Sequence, residues 1–334
     1  MFKKLSVSTL ALMIGAGAQA YAQTQTEAAA EADTVIVTGT RVEGRTAFDS
    51  LAPVDVISDE ALNLTASDEI MDSLAQLTPS FNVQRLPLND GLIFVRPARL
   101  RNLSPDHTLV LVNGKRRHRG SIISFLGGGI SDGAQGVDLA SIPGLALKQV
   151  EVLRDGASSQ YGSDAIAGVL NFILRDDSEG FEIVARAGST FDDDGENFMI
   201  AANLGLPLGD RGFVNITGEM REVDGTVRSV VRNDVAYQAA NGYTPVADFQ
   251  AINTYTNEAP QYWGQPDVDD DFKIFINAAF EINENAELYA FGNHAERTVA
   301  GGFFYRNVVG GPSGQRGGVY RGPLVDPATG LESD

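Results

Sequence analysis

The sequence predicts an α+β domain followed by the first antiparallel strands of a transmembrane β-barrel. Three observations lead there. Residues 54–174 mix short apolar runs with one amphipathic helical stretch. From Phe181 onward, segments of roughly ten residues alternate apolar and polar side chains, as strands crossing a bilayer do. The connectors are unequal: brief polar turns are mixed with the 49-residue stretch from Val223 to Asp271. A soluble β-sandwich favours loops of similar length at both ends, so the inequality favours the barrel.

Composition narrows the function classes. The 334 residues carry 25 Lys+Arg against 44 Asp+Glu, a formal net charge of −19. Only five residues are Lys, and no concentrated basic face offers itself to phosphates, which argues against nucleic acid as a partner. The absence of Cys removes disulfides, zinc–thiolate sites, iron–sulfur clusters and Cys nucleophiles. A mean hydropathy of −0.08 excludes a polytopic helical membrane protein.

Residues 1–22 read as a secretory signal peptide. Lys3 and Lys4 precede an apolar stretch from Leu5 to Ala18, and Ala18-Gln19-Ala20 and Ala20-Tyr21-Ala22 are overlapping small-x-small cleavage sites. The apolar stretch is too short for the about 20 residues a membrane span needs. Residues 23–46 read as a flexible tether, because Gln23 to Ala32 has no apolar periodicity. Inside it, residues 33–41 form an isolated β-prone segment. A short strand without a neighbour is unstable alone, so it joins a sheet of its own domain or the sheet edge of another protein.

From Pro53 to Ile57 a short strand is expected. A helix over Asp68 to Leu77 follows, with Ser67 as its N-cap and Thr78-Pro79 as its stop. Short strands are expected at Phe81 to Gln84 and Ile93 to Arg96, around a turn at Asn89-Asp90-Gly91. The apolar run Leu109 to Val112 closes on Asn113-Gly114, a strong hairpin signal. Arg116 to Gly136 is basic at its start and Gly-rich at its end. It lacks the Lys-Ser/Thr ending of a phosphate-binding loop and reads as a mobile surface loop. Strands at Gln149 to Leu153 and Ala165 to Leu174 complete the domain, with a turn at Tyr161 to Asp164.

Barrel-type strands are expected at Phe181 to Thr190, Asn197 to Leu206, Phe213 to Glu222, Phe272 to Ile282 and Glu287 to Arg297. In the fourth, Phe272, Ile274, Ile276, Ala278, Phe280 and Ile282 share one face and Lys273, Asn277 and Glu281 the other. His107, His118 and His294 show no metal-ligand spacing, and Asp192-Asp193-Asp194-Gly195 lacks the rest of a calcium loop. No nucleophile–base pair or carboxylate dyad stands out, so neither an enzyme nor a bound cofactor is expected.

Three stretches together resemble the N-terminal part of a bacterial TonB-dependent outer-membrane receptor. Asp33-Thr34-Val35-Ile36-Val37-Thr38-Gly39 resembles the TonB box. LRNLSPDHTLVLVNGKRR, Leu100 to Arg117, resembles the central strand and turn of the plug. VEVLRDGASSQYGSDAIAGVLNFIL, Val150 to Leu174, resembles its closing motif. The resemblance implies a plug over residues 47–178 and an incomplete barrel over 179–334. A complete receptor holds its plug inside about 22 strands. It implies a receptor-transporter in the outer membrane of a Gram-negative bacterium. The cargo would be a scarce nutrient of the ferric siderophore, cobalamin or oligosaccharide type. The partners implied are TonB with its inner-membrane motor proteins, and outer-membrane lipid. The alternative is a truncated product with a plug and no transport of its own.

The same resemblance assigns residues. Asp33 to Gly39 would contact TonB, and Arg101 and Arg154 would join plug to barrel wall. Arg116, Arg117, His118 and Arg119 would stand at the ligand-facing apex with the loop 121–136. Asn102 stands where the family usually has Gly, and Asn tolerates the left-handed backbone such a turn needs.

Overall fold

The computed structural model describes residues 38, 53–65, 67, 69–83, 93–124, 129–154, 156–226, 228, 264–301, 324–325 and 332–333. The signal-peptide reading, the 89–91 turn and all of the 33–41 segment except Thr38 fall outside them. No helix among the described residues is long and apolar enough to cross a membrane, which says nothing about strands.

The first half is built on a five-stranded mixed sheet. Its strands are β1 (Val54–Ser58), β4 (Thr108–Val112), β5 (Lys115–Arg116), β6 (Leu147–Leu153) and β7 (Gly168–Leu174), in the order β1-β6-β7-β4-β5. Only β4 and β7 run parallel; the other pairs are antiparallel. One face carries Ile57, Val110, Val112, Val150, Val152, Leu170 and Phe172. It packs on the helices α1 (Asp59–Asn63) and α2 (Ile70–Leu77). The opposite face carries the row Val54, Leu153, Val169 and Leu109, covered by Ala157 and Ala165 beside the short helix α3 (Ser158–Tyr161). Strands buried on both faces read as continuous apolar runs, and β4 is fully buried along its length.

Two backbone positions explain local sequence choices. Asn113 and Gly114 both have positive φ, 46° and 72°, so the Asn-Gly pair makes the tight turn from β4 to β5 that its composition predicts. At Gly168, φ is 137° and a Cβ would stand 2.3 Å from the Leu153 carbonyl oxygen, so any side chain would force β6 and β7 apart. Asn102 also adopts φ of 56°, as its substitution for Gly requires.

Several expectations need correction. Helix α2 begins at Ile70, not Asp68, with Glu69 in the cap position and no side-chain cap bond. The Glu69 carboxylate is held elsewhere, and Ser67 Oγ instead accepts the Glu69 N–H at 3.1 Å. Residues Ile93 to Arg96 do not form a strand; β2 (Phe81–Asn82) pairs with β3 (Arg99–Leu100). The described residues of the Arg116 to Gly136 segment are joined by backbone hydrogen bonds. Gly120 N donates to Gly136 O, Ser124 N to Ala134 O and Gly133 N to Ser124 O.

The second half is a meander of five long antiparallel strands. They are β8 (Phe181–Gly188), β9 (Asn197–Pro207), β10 (Gly212–Val223), β11 (Asp267–Asn283) and β12 (Ala286–Ala300). Their order is sequential and the sheet does not close, leaving β8 and β12 as its edges. The connections 208–211 and 284–285 lie at one end, and 189–196 and 224–266 at the other. Asn203, Asn215, Thr217, Glu219, Arg221, Asp271, Lys273 and Asn277 are buried, whereas Ile200, Leu204, Leu206, Met220, Phe272 and Ile276 are exposed. In β9, β10 and β11 the polar side is therefore turned mainly toward the first half, where Met199, Ala201 and Phe275 are also buried, and the apolar side outward.

Candidate functional site

The polar face of β10 and β11 meets the first half in a chain of buried charges. Arg96 reaches Glu69 at 2.6 Å and Asp72 at 3.5 Å. Glu69 receives Arg221 of β10 at 2.9 Å, and Arg221 lies 3.6 Å from Asp271 of β11. Lys273 then joins Asp271 at 3.2 Å and Glu219 at 2.5 Å. Burying any one of these ions alone would cost several kcal/mol, so their mutual pairing is a condition of the contact. Neither Asp271 oxygen has a hydrogen-bond partner, although both cations stand close. Two small cavities, about 30 and 10 Å³, open along this seam beside Glu69, Ile70, Gly144 and Glu219. Each is of the size that holds one or two waters.

Further contacts run along the same surface. Arg175, just after β7, bridges Asp59 at 3.0 Å and Glu182 of β8 at 2.6 Å. Toward the end with short connections, Asn113 Nδ2 donates to Asn277 Oδ1 at 3.4 Å, and Lys115 stands over the Tyr289 ring at 5.6 Å. Toward the other end, Arg297 of β12 donates to the Phe94 carbonyl and pairs with Asp138 at 3.3 Å.

A second polar site lies on the face of the mixed sheet away from α1 and α2. Thr38 is fully buried there, and both its N–H, at 2.8 Å, and its hydroxyl donate to Glu151 Oε2. Asn171 Nδ2 donates to Thr38 Oγ1 at 3.0 Å. Of the seven residues expected to contact TonB, Thr38 is the one described; Asp33, Thr34, Val35, Ile36, Val37 and Gly39 fall outside the described residues.

The other singled-out residues sit as follows. Arg101, with φ of 53°, donates from Nε to the Ala167 carbonyl at 3.2 Å and from Nη2 to that of Ile166 at 2.9 Å. Arg154 pairs with Asp55 at 2.7 Å, both partly exposed. Arg116 pairs with Asp164 at 2.5 Å, and Arg119 lies 3.8 Å from the same carboxylate and 4.0 Å from Asp106. Arg117 points the other way, donating to Ser141 Oγ at 3.4 Å. Burial, reinforced by the Arg117 charge, holds His118 below the usual imidazole range, so it is neutral at pH 7. The four apex residues thus do not converge on one point.

Sequence reasoning passed over Glu69, Arg96, Glu151, Arg221 and Asp271. A signal for part of the set was present: Arg221 and Asp271 occupy the polar side of alternating strands, the side already marked by Lys273 and Asn277. Among the described residues no group of three or more His, Cys, Asp or Glu is placed to hold a metal ion.

Residues 46–169 match the family "TonB-dependent Receptor Plug Domain". The vitamin B12 transporter BtuB of Vibrio cholerae is 32% identical over 186 residues, which are 55% of this chain and 27% of that protein. A variant of the ferric enterobactin receptor PfeA of Pseudomonas aeruginosa superposes with a TM-score of 0.54 at 17% identity, over 75% of this chain and 33% of that one. The siderophore receptor PirA of Acinetobacter baumannii gives 0.51 at 19%, over 76% and 32%. These structural likenesses concern the fold: a plug sheet followed by strands matching part of a receptor barrel. The chain spans about a quarter of the length of the curated relative and a third of the solved receptors. On this match, with the plug topology of the first half, residues 46–169 are a TonB-dependent receptor plug domain, and the chain is similar to the N-terminal portion of such receptors.

Proposed function

We propose that this chain is the plug-bearing part of an outer-membrane receptor that imports a scarce nutrient, with TonB as the source of mechanical work. The observation that carries the proposal is the polarity of the β8–β12 sheet. Its polar face is engaged by the plug through paired ions, and its apolar face is left for lipid. A sheet with free edges does not survive in hydrocarbon, so transport requires further strands to pair β8 and β12. The plug contact is polar and encloses water-sized cavities, which suits a surface that must separate and re-form.

The relatives bind chemically different cargoes, by their names vitamin B12 and ferric enterobactin, which supports a small, bulky nutrient of the ferric siderophore, cobalamin or oligosaccharide type. Of the apex residues Arg116, Arg117, His118 and Arg119, the cations Arg116 and Arg119 are each about half exposed and are proposed to meet such a ligand. Thr38 and the hairpin turn at Asn113-Gly114 share the half of the molecule nearer the short connections, where a periplasmic partner would reach residues 33–41. Arg101 and Arg154 are proposed to meet barrel acids supplied by additional strands.

Uptake assays in cells with and without TonB test the proposal, using labelled ferric siderophores, cobalamin and oligosaccharides. Uptake of one class should depend on TonB and be lost with Ile36→Pro, which removes a backbone donor from the added strand. Uptake that persists without TonB, or with Ile36→Pro, overturns it.

A further inference from the structure

Five basic side chains are buried among the described residues: Arg96, Arg99, Arg175, Arg221 and Lys273. Four of them have a carboxylate close by: Arg96 has Glu69 at 2.6 Å, Arg175 has Glu182 at 2.6 Å, Arg221 has Glu69 at 2.9 Å and Lys273 has Glu219 at 2.5 Å. Arg99 is the exception. It is 4% exposed, and its hydrogen-bond partners among the described residues are neutral. Nη1 donates to Ser131 Oγ at 3.5 Å and Nη2 to Asn82 Oδ1 at 3.0 Å, while Nε is buried without a hydrogen-bond partner. A buried ion that lacks a counter-ion is costly, and such a breach of the folding rules marks a functional position. Burial also lowers the Arg99 pKa from the ordinary guanidinium value.

We propose that Arg99 is the centre of an oxyanion site in the plug, which takes a carboxylate or phosphate group offering two oxygens. One edge of the guanidinium suits such a group. Nε–H and one Nη2–H point the same way along that edge, spaced to grip two oxygens at once. Nη1, on the far side, is engaged by Ser131, which lies in the turn Gly129–Ser131 and is 1% exposed. Asn82 stands directly opposite Arg99 in the β2–β3 ladder, so the two side chains share a face, and Asn82 is exposed. Its amide oxygen thus takes, from the solvent side, the place of one oxyanion oxygen, and Nε offers the donor for the second.

The exchange is favourable at each step. A neutral amide oxygen is a weaker acceptor for a guanidinium than a charged oxygen is. An oxyanion that displaces the Asn82 side chain gains two charge-assisted bonds and neutralises a buried charge, while the Asn82 amide turns to water at little cost. Arg116 and Arg119 are placed differently. Each lies against the Asp164 carboxylate, with which an incoming oxyanion would have to compete. That the oxyanion is carried by an imported nutrient rests on the function proposed above; the site itself does not.

The native chain contains no Cys and Leu170 is fully buried in the plug core, so alkylation of a Leu170→Cys thiol reports plug opening. Its rate is measured on the full chain in outer-membrane vesicles, in chloride and in inorganic phosphate or acetate of equal ionic strength. Phosphate or acetate should slow the rate saturably, by about tenfold where it exceeds its dissociation constant about tenfold. Arg99→Met should label more slowly than the parent in chloride, because it removes the uncompensated charge, and should lose the saturable response. Arg99→Lys keeps the charge without the two-donor edge and should lose most of the response. Asn82→Ala, without the competing amide, should reach half-saturation at about tenfold less oxyanion. The general stabilising effect of phosphate does not saturate and is common to every variant. A parent rate equal in all three salts overturns the site, as does a saturable response that survives in Arg99→Met. If Arg99→Met does not fold, Asn82→Ala decides, and an unchanged half-saturation overturns the site. Nutrient uptake is read separately. An oxyanion response with uptake untouched by Arg99→Met keeps the site and removes the nutrient as the oxyanion's source. Loss of uptake in Arg99→Met, with no oxyanion response in the parent, overturns the site and leaves the proposed function standing.

Discussion

The two halves of the chain solve opposite problems with the same strand geometry. In the plug, the sheet buries apolar side chains on both faces, and Leu170, Phe172, Val150 and Val152 are fully enclosed. In the β8–β12 sheet, Thr217, Glu219, Arg221, Asp271 and Lys273 are enclosed, while Met220, Phe272 and Ile276 are exposed. A period-two alternation states only that a strand has two unlike faces. Which face is inside depends on the solvent each face meets, and the contrast is the one that the proposed lipid-facing setting requires of the second sheet.

Substitutions sharpen this contrast. Phe172→Ala should cost about 3–5 kcal/mol of plug stability in a denaturant titration, because it opens a cavity in a closed apolar core. Lys273→Met should cost about 3 kcal/mol despite being apolar, since it strands Glu219 as a buried carboxylate and leaves Asp271 only its longer contact with Arg221. A stabilising Lys273→Met would mean that the seam is an ordinary core. Ile276→Lys should cost about 2–4 kcal/mol of folding free energy in bilayers, measured by urea titration of vesicle-embedded protein. The same charge on a water-facing strand would cost almost nothing.

Smaller effects belong to exposed pairs. Arg154→Ala should change plug stability by less than about 1 kcal/mol, since Arg154 and Asp55 are 47% and 38% exposed. In the 189–196 connection, hydrogen bonds from Arg228 and from the Thr190 hydroxyl lower the Asp194 pKa from 3.8 to about 2. The folded value lies below the unfolded one, so the Asp194–Arg228 contact is fully present above pH 3.8 and is lost as pH falls through about 2. An NMR titration of the Asp194 carboxyl should show that midpoint, and one near 3.8 would mean that the contact is absent in solution.

Much of the fold was legible because it rests on local signals. Asn113-Gly114, the unbroken run in β4 and the alternation of β9 through β11 each follow from residues close in sequence. The long strands were placed within a few residues except in β11, which starts five residues before the expected Phe272. The start of α2 was misplaced because Glu69, which would compete for the cap, is drawn into pairs with Arg96 and Arg221 that no local pattern shows. The candidate site was legible in outline only. Thr38 and Glu151 are separated by 113 positions, and the Lys273–Glu219 pair by 54. Such partners are chosen by the packing of whole elements, so the residue types were visible and their pairing was not.

The inside-out polarity of the second sheet is the central claim, and β11 tests it at two adjacent positions. Single spin labels at Ile276→Cys and Asn277→Cys, in outer membranes of cells producing the protein, are probed with lipid-soluble oxygen and a water-soluble nickel chelate. The label at 276 should collide freely with oxygen and little with nickel, and the label at 277 should be shielded from oxygen by the plug. Equal accessibility of both labels to the nickel reagent would contradict the proposed lipid-facing surface.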